Sequence, residues 1–252
     1  PISYDAAGVF SQGLALSASL ESLTIQRQCF FEYGAGHKLA KGITQNKSLN
    51  VIGIEEENLG AEAVSSIVRA VSEQGLLPKL FSLTITFRSD INCMDALMKL
   101  VSSNKSCLRR LKVVFGYRFQ SDVLPGSLPY EYSTVNRNLQ SLTVMNYALE
   151  DSQLRSILSS APVLLNLHLF FCGISDMTSI IDHLCQPTVT MESISLQSNG
   201  IELDQAERFV SSLADMQSLT SLDLLKNPWY YDTDGKEERI ERLIQSVSQC
   251  WN

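Results

Sequence analysis

The sequence predicts an α/β solenoid of eight strand-plus-helix coils, with parallel strands on a concave face and helices on a convex one. Three observations carry this. The string apolar-x-x-apolar-x-apolar recurs eight times at a nearly constant period. A further apolar residue usually falls ten positions after each string begins. The segments between strings carry helical spacing.

The eight strings begin at Leu20, Leu49, Leu80, Leu108, Leu139, Leu164, Met191 and Leu219, and the start-to-start spacings are 29, 31, 28, 31, 25, 27 and 28. One such string has no evidential weight, but eight at a period near 28 specify an array. The second and third anchors of each string are Leu23/Ile25, Ile52/Ile54, Leu83/Ile85, Leu111/Val113, Leu142/Val144, Leu167/Leu169, Ile194/Leu196 and Leu222/Leu224. They lie two residues apart, so in a strand both face the same way, into the solenoid, and the residue between them faces out. Phe30, Leu59, Leu149, Ile174, Ile201 and Trp229 supply the later apolar residue; the third and fourth repeats have Asp90 and Arg118 there.

The returns read as helices. Val64/Ile67/Val68/Val71, Leu97/Leu100/Val101, Leu154/Ile157/Leu158, Ile180/Ile181/Leu184 and Phe209/Val210/Leu213 each form one apolar stripe. No coil can bury its apolar edge alone, so neighbours stack and the core runs along the array. Residues 1–19 contain Val9, Leu14 and Leu16 but no strand string, which fits the return segment of a preceding repeat or a cap. Pro1 is not Met and no signal pattern follows it, so further domains are expected upstream. Residues 20–230 hold the repeats, and residues 235–252 read as a C-terminal capping helix with Ile240, Leu243, Ile244 and Val247 on one face. The fourth return is different. Pro125-Gly126 and Pro129 forbid a full helix between residues 116 and 138, and Tyr117, Phe119, Tyr130 and Tyr132 make that segment aromatic. It either packs in place of the missing helix or serves as a binding loop.

A period near 28 with a helical return resembles the ribonuclease-inhibitor type of leucine-rich repeat, over residues 20–230. The resemblance implies a horseshoe with strands inside. The same class includes the sensor ends of NOD-like receptors, tropomodulin-like proteins and GTPase-activating proteins for Ran. In that family the ninth position holds an Asn or Cys that hydrogen-bonds the turn backbone. Cys172, Asn199 and Asn227 conform, whereas Gln28, Glu57, Arg88, Gly116 and Tyr147 do not. The first half is therefore expected to be less regular than the second.

No catalytic set is visible. The histidines, at positions 37, 168 and 183, lie in three different repeats, and no HExxH, GxSxG or P-loop string occurs. Asp232, Asp234 and Glu238 faintly resemble a calcium loop but lack its frame. No metal or cofactor is expected. A net charge of −7 disfavours a nucleic-acid duplex as ligand, and no apolar run is long enough to span a membrane.

What remains is surface. The position after the third anchor reads Gln26, Glu55, Thr86, Val114, Met145, Phe170, Gln197 and Leu225, and the next reads Arg27, Glu56, Phe87, Phe115, Asn146, Phe171, Ser198 and Lys226. The middle repeats are apolar there. Phe87, Val114, Phe115, Met145, Phe170 and Phe171 are expected to form one concave patch beside Lys112 and His168. Aromatic and Met side chains with a polar rim are the composition of a protein interface. The alternative is that some of these side chains turn inward or lie under the 116–138 segment. The expected function is a non-catalytic interaction or ligand-sensing module of a larger cytoplasmic receptor or regulator, with innate immunity as one setting. A Ran-type GTPase-activating protein and a ubiquitin-ligase substrate adaptor are the alternatives.

The six cysteines form no CxxC pair and no spacing typical of a disulfide framework. Two glycosylation sequons, Asn46-Lys47-Ser48 and Asn104-Lys105-Ser106, point the other way. Denatured without reductant, the chain is expected to titrate six thiols. A native disulfide would instead assign the protein to an oxidising compartment.

Overall fold

The strand anchors and helical returns materialise in chain order. The computed structural model describes residues 2–25, 31–32, 34–88, 93–116, 134–231 and 237–250. The chain forms two compact units, Pro1–Leu139 and Gln140–Asn252. Most of the expected 116–138 segment, the aromatics within it and the Asp232–Asp234 turn lie outside the described residues.

In the first unit, helix α1 (Tyr4–Leu16) precedes strand β1 (Ser22–Ile25). Then come α2 (Ala35–Gln45), β2 (Val51–Glu55), the single turn α3 (Glu56–Leu59) and α4 (Ala61–Arg69), which ends in a wider π turn at Ala70–Gln74. Strand β3 (Ser82–Phe87), α5 (Cys93–Ser102) and β4 (Arg110–Phe115) complete it. The four strands pair in the order β1-β2-β3-β4, all parallel. Anchors meet anchors: Leu23, Ile52, Leu83 and Leu111 are in register, as are Ile25, Ile54, Ile85 and Val113. A slip of one residue would turn every one of these side chains to the opposite face, so burial locks the register.

The second unit repeats the scheme. Its elements are β5 (Ser141–Met145), α6 (Asp151–Ser160), β6 (Asn166–Phe170), α7 (Thr178–Leu184), β7 (Ser193–Ser195), α8 (Leu203–Ser211), β8 (Ser221–Asp223), α9 (Pro228–Tyr231) and α10 (Glu237–Cys250). Strands pair in the order β5-β6-β7-β8, again parallel, with Leu142, Leu167, Ile194 and Leu222 in register. Each expected strand centre thus lies in a strand. The helical stripes read from the sequence are buried: Val64, Ile67 and Val68 on α4, Leu97 and Leu100 on α5, Leu154, Ile157 and Leu158 on α6, and Phe209 and Val210 on α8. On α10, Leu243 is buried and Arg239 ties the helix to Asp204 and Glu207 of α8.

Two turns that lead into strand anchors are closed by asparagines. Asn46 is fully buried; its amide donates to the carbonyls of Leu14 and Ser17, and its Oδ1 accepts from the N–H groups of Ser48 and Leu49. The first sequon is therefore a turn device whose amide is consumed by backbone. Asn136 does the same work before Leu139, accepting from the N–H groups of Asn138 and Leu139. Asn104 of the second sequon is exposed. Among the cysteines with described side chains, Cys107, Cys172 and Cys185 are free thiols.

Helix packing in the first unit depends on missing side chains, since Gly36 and Gly42 of α2 both lie against backbone. A Cβ on Gly42 of α2 would fall 2.4 Å from the Ser11 carbonyl oxygen of α1, a contact with backbone that no rotamer can relieve. By contrast, a Cβ on Gly13 of α1 would meet nothing within 4 Å. Gly42→Ala is expected to force the helices apart and to lower stability by about 1–3 kcal/mol. Gly13→Ala should raise it by about 0.5–1 kcal/mol, the ordinary gain from removing a helix-interior glycine. Equilibrium urea unfolding of the two variants should show opposite signs.

Candidate functional site

The expected patch draws residues from both units, and the two treat the same repeat position differently. In the second unit, β5 ends at Met145 and β6 at Phe170. The next residue of each repeat has a left-handed backbone: Asn146, Phe171, Ser198 and Lys226 have φ of 61°, 52°, 55° and 58°. This kink lets the following residue, the ninth of the repeat, dive inward. There Asn199 Oδ1 accepts from the N–H groups of Cys172 and Ile174, and its amide donates to the carbonyls of Leu169 and Gln197. One coil on, Asn227 Oδ1 accepts from the N–H groups of Asn199 and Ile201, and its amide donates to the carbonyls of Leu196 and Leu224. Cys172 sits in the same place one coil earlier, its thiol donating to the Val144 carbonyl; burial pushes its pKa up to about 12, so it is a structural thiol.

The left-handed residue at position eight is thrown outward. Phe171 is 58% exposed. Leu225, at position seven of the last repeat, is 48% exposed. Between them lies the outward side of β5 to β8. Met145 is in register with Phe170, both half-buried. A second row runs Thr143, His168, Ser195 and Asp223. The His168 ring lies nearly parallel to the Phe170 ring, centroids 6.1 Å apart. Asp223 accepts from Ser195 Oγ at 3.3 Å and from the Gln197 amide. Burial pushes the His168 imidazole below its usual range, while Asp223 pulls the other way. The face thus carries an apolar cluster, Met145, Phe170 and Phe171, beside a polar row, and Leu225 lies exposed one coil beyond Gln197.

In the first unit the expectation for two residues is corrected. Phe87 and Phe115 are not on the outward face. Both are buried, Phe115 completely, and their rings stack at 5.7 Å within the core. The reason is strand length. β3 and β4 run for six residues without a left-handed kink, so the alternation continues and position eight points inward with the anchors. With Arg88 and Gly116 at the ninth position, no Asn or Cys side chain satisfies the turn from inside. Instead the buried Glu56 carboxylate accepts from the Arg88 N–H at 2.7 Å. Lys112 is exposed and Val114 half-buried on the outward side of β4, among Thr84, Thr86 and Arg110. Its neighbours on this face within the first unit are polar.

Of the eight residues expected at the site, Met145, His168, Phe170 and Phe171 are brought together in the second unit. Leu225 and the Asp223 cluster were missed. The only signal for Leu225 was its place in the seventh-position row, where the preceding repeat has the polar Gln197. Among the described residues no group of His, Cys, Asp and Glu could hold a metal, and no helix is long and apolar enough to cross a membrane.

Two half-buried imidazoles give a pH signature. Burial lowers the pKa of both His168 and His183. The unfolded chain therefore binds these protons before the folded one does, so stability is complete above the usual histidine value near 6.5 and falls as pH drops below it. His168→Gln should flatten part of that fall when melting temperature is followed from neutral to mildly acid pH. An unchanged slope would mean that His168 is solvated. No family model matches the chain, and no curated protein matches it.

Proposed function

We propose that the chain is a leucine-rich-repeat module of the ribonuclease-inhibitor type that binds a protein through the strand face of its second unit, without catalysis. The observation that carries this is Phe171. A non-glycine residue in the left-handed region is uncommon, and for a bulky side chain it is costly. Phe171 combines that strain with an apolar ring more than half exposed. Neither feature favours folding. The other left-handed positions hold Asn146, Ser198 and Lys226, polar residues suited to a solvated turn. A phenylalanine there is explained by something outside the chain that covers it.

Neighbouring side chains fit this reading. Met145 and Phe170 extend the apolar area, and Ser195, Gln197 and Asp223 form a hydrogen-bonded rim with the His168 ring beside it. An apolar centre with a polar border is the anatomy of a protein interface. The free cysteines suit a cytoplasmic setting, and the sensor end of a NOD-like receptor is the host that fits best.

Phe171→Asn places a residue at position 171 that tolerates the left-handed backbone, so melting temperature should hold or rise slightly. A photoreactive residue at Met145 should cross-link a discrete protein in cells, and the adduct should vanish with Phe170→Ser plus Phe171→Ser. If the double variant unfolds, the rings belong to the core. If it is stable and the adduct persists, the binding face lies elsewhere.

A further inference from the structure

The first coil is built like an interior coil, yet one side of it is bare. Ile2 makes a parallel bridge to Phe31, a separation equal to that of the first two anchors, Leu20 and Leu49. Residues 2–20 therefore match residues 31–49 one for one. Under this offset Phe10 corresponds to Leu39, Gly13 to Gly42, Leu14 to Ile43, Leu20 to Leu49 and Leu23 to Ile52. In the second coil the core members of this set are essentially fully buried. In the first, Leu14 is buried, Leu20 and Leu23 are only half-buried, and Phe10 is 50% exposed. Core positions of the repeat are open on the side away from the second coil.

The helix surface carries the same message. Toward α2, helix α1 presents Gly8 and Ser11, against Lys38 and Gly42. Lys38, Gly42 and Gln45, which α2 turns toward α1, map one coil back onto Val9, Gly13 and Leu16 of α1. Val9 is 72% exposed, Leu16 is 85% exposed, and the space beside Gly13 is empty. Gly42 is glycine because the backbone of α1 lies against it. Gly13 has the same residue in the same place with nothing against it. Meanwhile β1, among the described residues, is paired only with β2 and offers its other edge.

We propose that the outer face of α1 and the free edge of β1 are the seat of one more strand–helix coil, joined to the chain ahead of Pro1. A second copy of the protein is the poorer occupant. α1 has 13 residues, so its face is about 20 Å long and about 10 Å wide, and the four residues of β1 add an edge of about 13 Å, together well below the roughly 800 Å² that each partner contributes to a stable dimer. A covalently joined coil needs no such area, because it pairs with β1 and packs on α1 without the cost of association. Chain direction agrees. Residues 31–32 arrive beside residue 2 from β1, so by the same offset residue 2 is approached from a strand lying along the outer edge of β1. This inference is independent of what the strand face of the second unit binds.

The test uses the natural polypeptide purified from its own cells and residues 1–252 alone. Intact mass should show that the natural polypeptide extends ahead of Pro1. Amide exchange in α1 should be slower in the natural polypeptide by roughly tenfold or more, because a covered helix opens only with its neighbours. Gly13→Leu should leave the melting temperature of residues 1–252 unchanged or slightly higher and lower that of the natural polypeptide by several degrees. An N-terminus at Pro1, equal α1 exchange in the two proteins, or the same response to Gly13→Leu in both would overturn the proposal. So would protection of α1 in residues 1–252 that rises with concentration, which would identify a second copy as the occupant.

Discussion

Every feature of both units depends on the inward anchors meeting their counterparts one coil away. A coil has one strand and one return, and neither can bury an apolar side chain against the other alone. Leu83 is buried because Ile52 and Leu111 flank it in register. Hydrophobic burial of this kind is worth about 1.5–3 kcal/mol for each large aliphatic side chain, and parallel pairing delivers it only at one register. The helices follow from this, since the return must come back over the same anchors with its own apolar stripe. The period is therefore a packing length, and variations in it, such as the 25 residues between Leu139 and Leu164, are absorbed in the returns and not in the strands.

A second constraint acts where each strand ends. The chain must turn away from the sheet, and its turn amides must find acceptors when they are buried. In the second unit, Asn199 and Asn227 reach across to the preceding coil and supply those acceptors. The residue before each must then adopt a left-handed backbone and expose its side chain. In β3 and β4 of the first unit, with no such side chain, the strand runs on and buries the residue at the same position. Phe115 and Phe171 are thus the same residue type at the same repeat position with opposite fates. A carboxylate from the preceding coil, Glu56, closes one of these turns instead. The two solutions satisfy the same backbone requirement, and only one leaves an aromatic ring in solvent.

The outer face of the second unit consequently combines rigidity with exposure. Its apolar cluster is held on strands and on turns locked by asparagine, not on a loop. Side chains on such a scaffold lose little conformational freedom when they are covered, which favours binding over a flexible surface of the same composition.

How far the sequence reached follows from what each property depends on. Strand positions, their common polarity and the buried helix stripes were legible, because period-two and period-3.6 burial patterns are properties of the chain repeated eight times. The asparagine ladder was legible for Asn199 and Asn227, since they fill the turn position that the resemblance to leucine-rich repeats singles out. The direction of Phe87 and Phe115 was not. It depends on whether a strand ends at position seven or continues, and that is decided by whether the neighbouring coil satisfies the turn. Nor was the burial of Asn46 legible, since its amide is consumed by carbonyls of Leu14 and Ser17, some thirty residues away. Exposure of Leu225 belongs to the same class. The sequence by itself determined which residues repeat and therefore which pack together. Only the tertiary structure decided which way the unrepeated side chains point, because that is settled by hydrogen bonds from the next coil.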